Sequence, residues 1–150
     1  MARLNSRQAG IGTLLISGVR STAWEGTDLT TGAESSSGQR AGTVIVTRGN
    51  RPLVAFHEGA VAVTLRHVRH LRRAIFVGAD EPLIIRHFDG AAAAVPAPTS
   101  NSEKVILHLS RIGELVELRA EYVADATDEA TWATFGFRMT TPVHVHPAGH

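Results

Sequence analysis

Lys104-Val105-Ile106-Leu107-His108-Leu109-Ser110, then Arg111-Ile112-Gly113-Glu114, then Leu115-Val116-Glu117-Leu118-Arg119-Ala120-Glu121-Tyr122-Val123, is the stretch that decides the fold. Two apolar-rich runs flank a glycine, as in a hairpin. In the second run Val116, Leu118, Ala120 and Tyr122 fall on one side, while Glu117, Arg119 and Glu121 fall on the other. That is the two-residue period of a half-buried strand with its apolar side inward. Glu, Leu, Arg and Ala are also good helix formers, so a helix is the rival reading. The strand reading is preferred because another apolar run precedes it directly across the glycine.

Working outward, the same short runs recur at residues 13–19, 43–47, 53–57, 60–65, 73–78, 83–88 and 131–138, separated by turn residues. Residues 49–52 and 79–82 read as tight turns. Residues 26–42, rich in Gly, Ser and Thr, read as a long mobile loop. Residues 91–102 read as a second loop or an extended linker along a sheet edge. Many short strands with close turns predict an all-β fold: an antiparallel β-sandwich with long loops and one short helical turn. It is expected to occupy residues 1–140 as one domain, followed by a flexible tail over 141–150.

The helical turn is the most charged part of the chain. Leu65-Arg66-His67-Val68-Arg69-His70-Leu71-Arg72-Arg73 keeps an apolar residue at every third place, the period of a short 3₁₀ or helical turn. With Leu65, Val68 and Leu71 anchored, Arg66, Arg69, Arg72 and Arg73 fan outward beside His67 and His70. Such a patch can hold phosphates, a nucleic-acid backbone or an acidic protein surface. The bland alternative is a solvated face whose arginines pair with local carboxylates. Formal net charge is only +1, and no aromatic residue is interleaved to stack bases. Both points argue against nucleic acid and in favour of a protein partner or self-assembly.

Other constellations carry less. His144, His146 and His150 have the chemistry of a zinc, copper or nickel site, but no neighbouring carboxylate supports them and a flexible end is costly to organise. Glu25, Asp28 and Glu34 are too scattered for calcium, and Asp125, Asp128 and Glu129 read as solvated or capping residues. Trp24, Tyr122, Trp132, Phe135 and Phe137 read as packing aromatics. There is no cysteine, which removes disulfides and thiolate chemistry. No nucleophile elbow, H-E-x-x-H or Walker pattern occurs, so a non-enzyme is expected. Apolar runs stay well short of the roughly 20 residues that span a bilayer, and the first residues lack a signal-peptide core. A cytoplasmic setting is expected, or a virion if the chain is an assembly subunit.

Ala60-Val61-Ala62-Val63-Thr64-Leu65, a turn, and Arg72-Arg73-Ala74-Ile75-Phe76-Val77-Gly78 form a strand–turn–strand unit. Together with Val105-Ile106-Leu107-His108-Leu109, Gly113-Glu114-Leu115-Val116-Glu117-Leu118-Arg119-Ala120, Trp24 and Thr27-Asp28-Leu29, it resembles the TerD-like tellurium-resistance and stress proteins. The resemblance implies a β-sandwich, a stress-response role and calcium bound by clustered aspartates. Only Asp28 falls near a matching place, so calcium enters through the resemblance alone and no cofactor is read from the residues. Three functions follow in order. First comes a non-enzymatic β-sandwich acting by macromolecular interaction, then a structural subunit of a phage or phage-like particle, and last a small nucleic-acid or phosphate-binding module.

Overall fold

A computed structural model describes residues 2–4, 12–47, 51–87, 90–113 and 115–140. The strands are β1 (Ala2–Leu4), β2 (Thr13–Ser17), β3 (Val19–Gly26), β4 (Thr31–Ser35), β5 (Arg40–Gly42), β6 (Val46–Thr47) and β7 (Arg51–Pro52). They continue with β8 (Val54–His57), β9 (Ala60–Thr64), β10 (Leu71–Gly78), β11 (Leu83–Arg86), β12 (Ala92–Val95), β13 (Glu103–Ile112) and β14 (Leu115–Ala124). Among the described residues, a 3₁₀ turn, η1 (Leu65–His70), and a helix, α1 (Asp128–Thr134), complete the elements. A seven-stranded sheet runs β1-β14-β13-β10-β3-β4-β5 and a five-stranded sheet runs β12-β11-β2-β9-β8, with β6 and β7 as a separate pair. All pairings are antiparallel, so the all-β, sandwich-like architecture is the one read from the sequence.

The inner faces of the two sheets enclose one core. The large sheet contributes Trp24, Ala74, Phe76, Leu107, Leu109, Val116 and Leu118; the small sheet contributes Leu14, Ile16, Val61, Val63, Leu83 and Ile85. Glu34 joins the sheet edges. Its buried carboxylate accepts the Phe56 amide of β8 at 3.1 Å and pairs with Arg40 at 3.0 Å. A buried charge persists there because both oxygens are used.

The hairpin β13–β14 forms with Ile112 opposite Leu115, as its glycine turn predicts. Its alternation holds only in part. Val116 and Leu118 are buried, whereas Ala120 and Tyr122 are exposed. Val105 and Leu107, the β13 residues opposite Tyr122 and Ala120, stay buried, but β1 flanks β14 only at Val116–Leu118, so among the described residues β14 is an edge strand beyond Leu118 and its side chains there are exposed. The Tyr122 hydroxyl instead donates to the Pro96 carbonyl at 2.7 Å.

Two expectations are corrected. Residues 26–42 are not a mobile loop: β4 and β5 lie there, and every residue of β4 is buried. Their small side chains are a packing requirement. A Cβ on Gly32 would sit 2.3 Å from the Thr43 carbonyl and 2.7 Å from the Trp24 indole nitrogen, which itself donates to Thr43 at 2.9 Å. Residues 131–138 are not a strand but carry most of α1. Thr127 caps the helix by accepting the Ala130 amide at 3.1 Å, with Asp128 and Glu129 in the first turn. Residues 91–102 do follow a sheet edge, with β12 pairing only with β11. Of the turn read at 49–52, Arg51 and Pro52 form β7 and the rest lies outside the described residues.

Helix α1 adds a third layer. Trp132 and Phe137 pack on Ala23, Ala33, Ile75, Val77 and Ile106, the outer face of the large sheet. The segment after it is strapped down where the Thr140 hydroxyl accepts the Thr31 amide at 3.1 Å and the Thr43 hydroxyl donates to the Thr140 carbonyl at 3.0 Å. Among the described residues, no helix is long and apolar enough to cross a membrane.

His108 lies under this cap, edge-on to Phe135 at 4.9 Å, with Nε2 2.6 Å from Glu121. Burial pushes its imidazole below the ordinary value, Arg119 and Arg73 add to that push, and the Glu121 hydrogen bond opposes it. The unfolded chain therefore takes up a proton near pH 6.5 that the folded chain accepts only at lower pH, and stability is lost as pH falls through that window. Urea unfolding at pH 7 and pH 5 should show a smaller acid loss for His108→Gln than for the parent. An equal loss in both would remove His108 from this account.

Candidate functional site

The charged turn is a 3₁₀ segment kinked at His67, whose φ of −114° and ψ of 18° leave the helical range, yet its buried row at Leu65 and Val68 survives the kink. With three residues per turn, side chains three apart eclipse one another. Leu65 and Val68 point into the core, joined by Leu71 at the start of β10, and Arg66 and Arg69 follow them in sequence and are exposed. The turn carries the chain from β9 in the small sheet to β10 in the large one, closing one end of the sandwich. Its backbone is pinned at both ends: the Leu65 amide donates to the Gly12 carbonyl at 3.2 Å, and the His70 carbonyl accepts the Thr27 amide at 3.0 Å.

The six cationic residues proposed from the sequence then part company. Arg66, His67, Arg69 and His70 line an open cleft of about 740 Å³ together with Gly12, Thr13, Thr47, Arg51 and Thr64. Arg72 and Arg73 do not line it. Both contact one oxygen of the buried Glu25 carboxylate at 3.0 Å. Arg73 also lies 3.9 Å above the Phe137 ring and donates to the Phe135 and Gly136 carbonyls at 2.6 and 3.1 Å. For these two arginines the local-carboxylate alternative holds.

Arg51 replaces them. It reaches the cleft from β7, where the Thr47 hydroxyl donates to its carbonyl at 2.8 Å and fixes the two-residue strand. Its position was not legible because the pairing of β6 with β7 is too short to leave a periodic signal. Among the described residues, none of Arg51, Arg66 and Arg69 has a carboxylate within ion-pair distance. Among the described residues, the lining holds no carboxylate, aliphatic or aromatic side chain beyond the imidazoles.

His70 is also one wall of a second, smaller hollow that contains Asp28. The Thr30 amide, donating at 3.0 Å, is the main cause holding the Asp28 carboxyl below the usual carboxylate range, and the His70 charge adds a little. The acidic residues considered for calcium are dispersed. Glu25 serves Arg72 and Arg73, Glu34 serves Arg40 and β8, and Asp125 and Asp128 hold Arg20 at 3.5 and 2.9 Å. Among the described residues, no three His, Cys, Asp or Glu side chains converge as a metal site requires. His144, His146 and His150 lie outside the described residues. No family model, curated protein or solved structure matches the chain.

The Glu25 node has a measurable consequence. Removing its charge leaves Arg73 between two carbonyls and a ring without its counter-ion. Arg72 is well exposed, which lowers the cost, so Glu25→Gln should lose about 1–2 kcal/mol. Urea unfolding checks this, and parental stability in Glu25→Gln would mean the node does not hold the cap.

Proposed function

We propose that this protein is a non-enzymatic binding β-sandwich that docks an acidic macromolecular partner on the cationic cleft. One observation carries the reading: Arg51, Arg66 and Arg69 line one cleft from two pinned elements, and among the described residues no carboxylate answers them. Three exposed guanidiniums on a chain of net charge +1 concentrate positive potential at one place. That steers an acidic surface and fixes its orientation more than it adds raw affinity. The resemblance to the TerD-like stress proteins supports the same reading at the level of a sandwich that works by binding, in a cytoplasmic setting. Calcium is not needed for it. The test is isothermal titration with a Glu-rich peptide at low and physiological salt. Binding should weaken as salt rises and fall at least about tenfold in the Arg66→Ala/Arg69→Ala variant. Unchanged binding in that variant would remove the cleft as the docking site.

A second reading, a self-assembling structural subunit of a phage-like particle, has its own observation. Strand β12 leaves the small sheet with an open edge whose Ala92, Ala93 and Ala94 are exposed and uncharged. Such an edge can pair with another chain, although Pro96 and Pro98 limit it to a few residues. Sedimentation over a wide concentration range should then show association that Ala93→Lys reduces. A monomer throughout would leave docking alone.

A further inference from the structure

We infer that the group taken up by the cleft is a phosphate monoester carried on a peptide, so that the docking partner is a phosphorylated protein segment. The inference rests on the cleft being the docking site proposed above, and narrows its ligand. A carboxylate offers two oxygens in one plane, which a single guanidinium fork satisfies. A phosphate monoester offers three oxygens in a tetrahedral array and close to two negative charges near neutral pH. It needs several forks from different directions.

The cleft supplies that arrangement. Arg66 and Arg69 come from η1, one on each side of its kink at His67, and Arg51 comes from β7, a separate element. Thr13 and Thr64, opposite each other across the β2–β9 pair, add hydroxyl donors to the lining. Among the described residues, no carboxylate in the lining repels a dianion.

The same lining selects against other carriers of phosphate. Among the described residues the lining has no Trp, Tyr or Phe to serve as a platform for a base, which argues against nucleotides and single-stranded nucleic acid. A small phosphorylated metabolite normally needs a largely apolar, enclosing wall to hold its remaining atoms. This cleft is open, and its walls are Thr, Gly, Arg and His. A peptide needs no such wall, since its backbone stays hydrated while the phosphate is gripped and its flanks rest on the surrounding surface.

The experiment is fluorescence anisotropy with one labelled peptide in three forms, carrying phosphoserine, glutamate or serine at its centre. Inorganic phosphate and a single-stranded oligonucleotide serve as competitors. The phosphoserine form should bind at least about tenfold tighter than the glutamate form, since only it can engage several forks. Arg51→Ala and Arg66→Ala/Arg69→Ala should each lose that margin, while Arg86→Ala, an exposed arginine on β11 outside the cleft, should keep it. Arg66→Lys/Arg69→Lys preserves charge and folding but removes the forks. It should retain glutamate-peptide binding and lose the phosphoserine preference.

Equal affinity for the glutamate and phosphoserine forms would overturn the phosphate inference and leave docking of acidic partners intact. No binding of either form would overturn both. Inorganic phosphate competing at the peptide's own concentration would replace the peptide with the free ion. Tighter, arginine-dependent binding of the oligonucleotide would assign the cleft to nucleic acid.

Discussion

The burial of Leu65, Val68 and Leu71 is the constraint from which the rest follows. All three belong to the inner core, and they lie at the point where the chain leaves one sheet and enters the other. A 3₁₀ turn keeps residues 65 and 68 on one side, and Leu71 must then join them as the first residue of β10. Strict alternation along β10 would place Leu71 on the same face as Arg73, Ile75 and Val77, which is the outer one. The register shift between Leu71 and Arg73 resolves the conflict. It lets Leu71 face inward while Arg73 sides with the outer face, which is the structural use of a β-bulge. One buried row therefore fixes two things at once: the exposure of Arg66 and Arg69 and the arrival of Arg73 beneath the cap.

Electrostatics divides accordingly. Among the described residues, no buried side-chain nitrogen or oxygen lacks a partner, and the buried carboxylates of Glu25 and Glu34 are each tied to arginine. Inside, charge is matched because an unmatched buried charge costs several kcal/mol. Among the described residues, Arg51, Arg66 and Arg69 on the cleft have no carboxylate partner and are exposed, where an unpaired charge costs little. The contrast separates arginines that hold the fold together from arginines that face solvent, although both kinds lie within eight residues, 66–73.

What was legible in the sequence was whatever had a local period. The three-residue repeat of 65–71 and the two-residue repeat of 105–118 both carry their own geometry, so η1 and the β13–β14 hairpin could be read directly. What was not legible depended on distant partners. Gly32 and Ala33 looked like loop residues because the reason for their size, the Trp24 indole and the Thr43 carbonyl, is not local. Thr131, Trp132 and Phe135 looked like strand residues because their β-branched and aromatic character outweighed the capping Thr127 four positions upstream of Thr131. Ala120 and Tyr122 kept their alternation but lost their cover, since β1 flanks β14 only as far as Leu118 and an edge strand buries less than its inner neighbour β13. Half of the candidate site was visible as a cation cluster. The division between Arg66/Arg69 and Arg72/Arg73, and the arrival of Arg51, needed the bulge and the β6–β7 pair.

The cap and the cleft consequently share one short element. Arg73 is anchored by Glu25 on one side and by the α1 segment on the other, and only two residues separate it from the backbone carbonyl of His70, which Thr27 holds. Thr27 itself follows Glu25 and Gly26 at the end of β3, so the same strand end grips η1 by its last carbonyl and β10 by its first charge. A turn of six residues would ordinarily fray, because a 3₁₀ segment has poor hydrogen-bond geometry. Here the β3 end supplies both clamps, and Gly12 supplies a third at the start of the turn. Rigidity at the cleft is thus produced by contacts outside it. Arginines held on such a frame lose less conformational freedom on binding than the same side chains on a loose loop, which favours recognition of a ligand with fixed oxygen geometry.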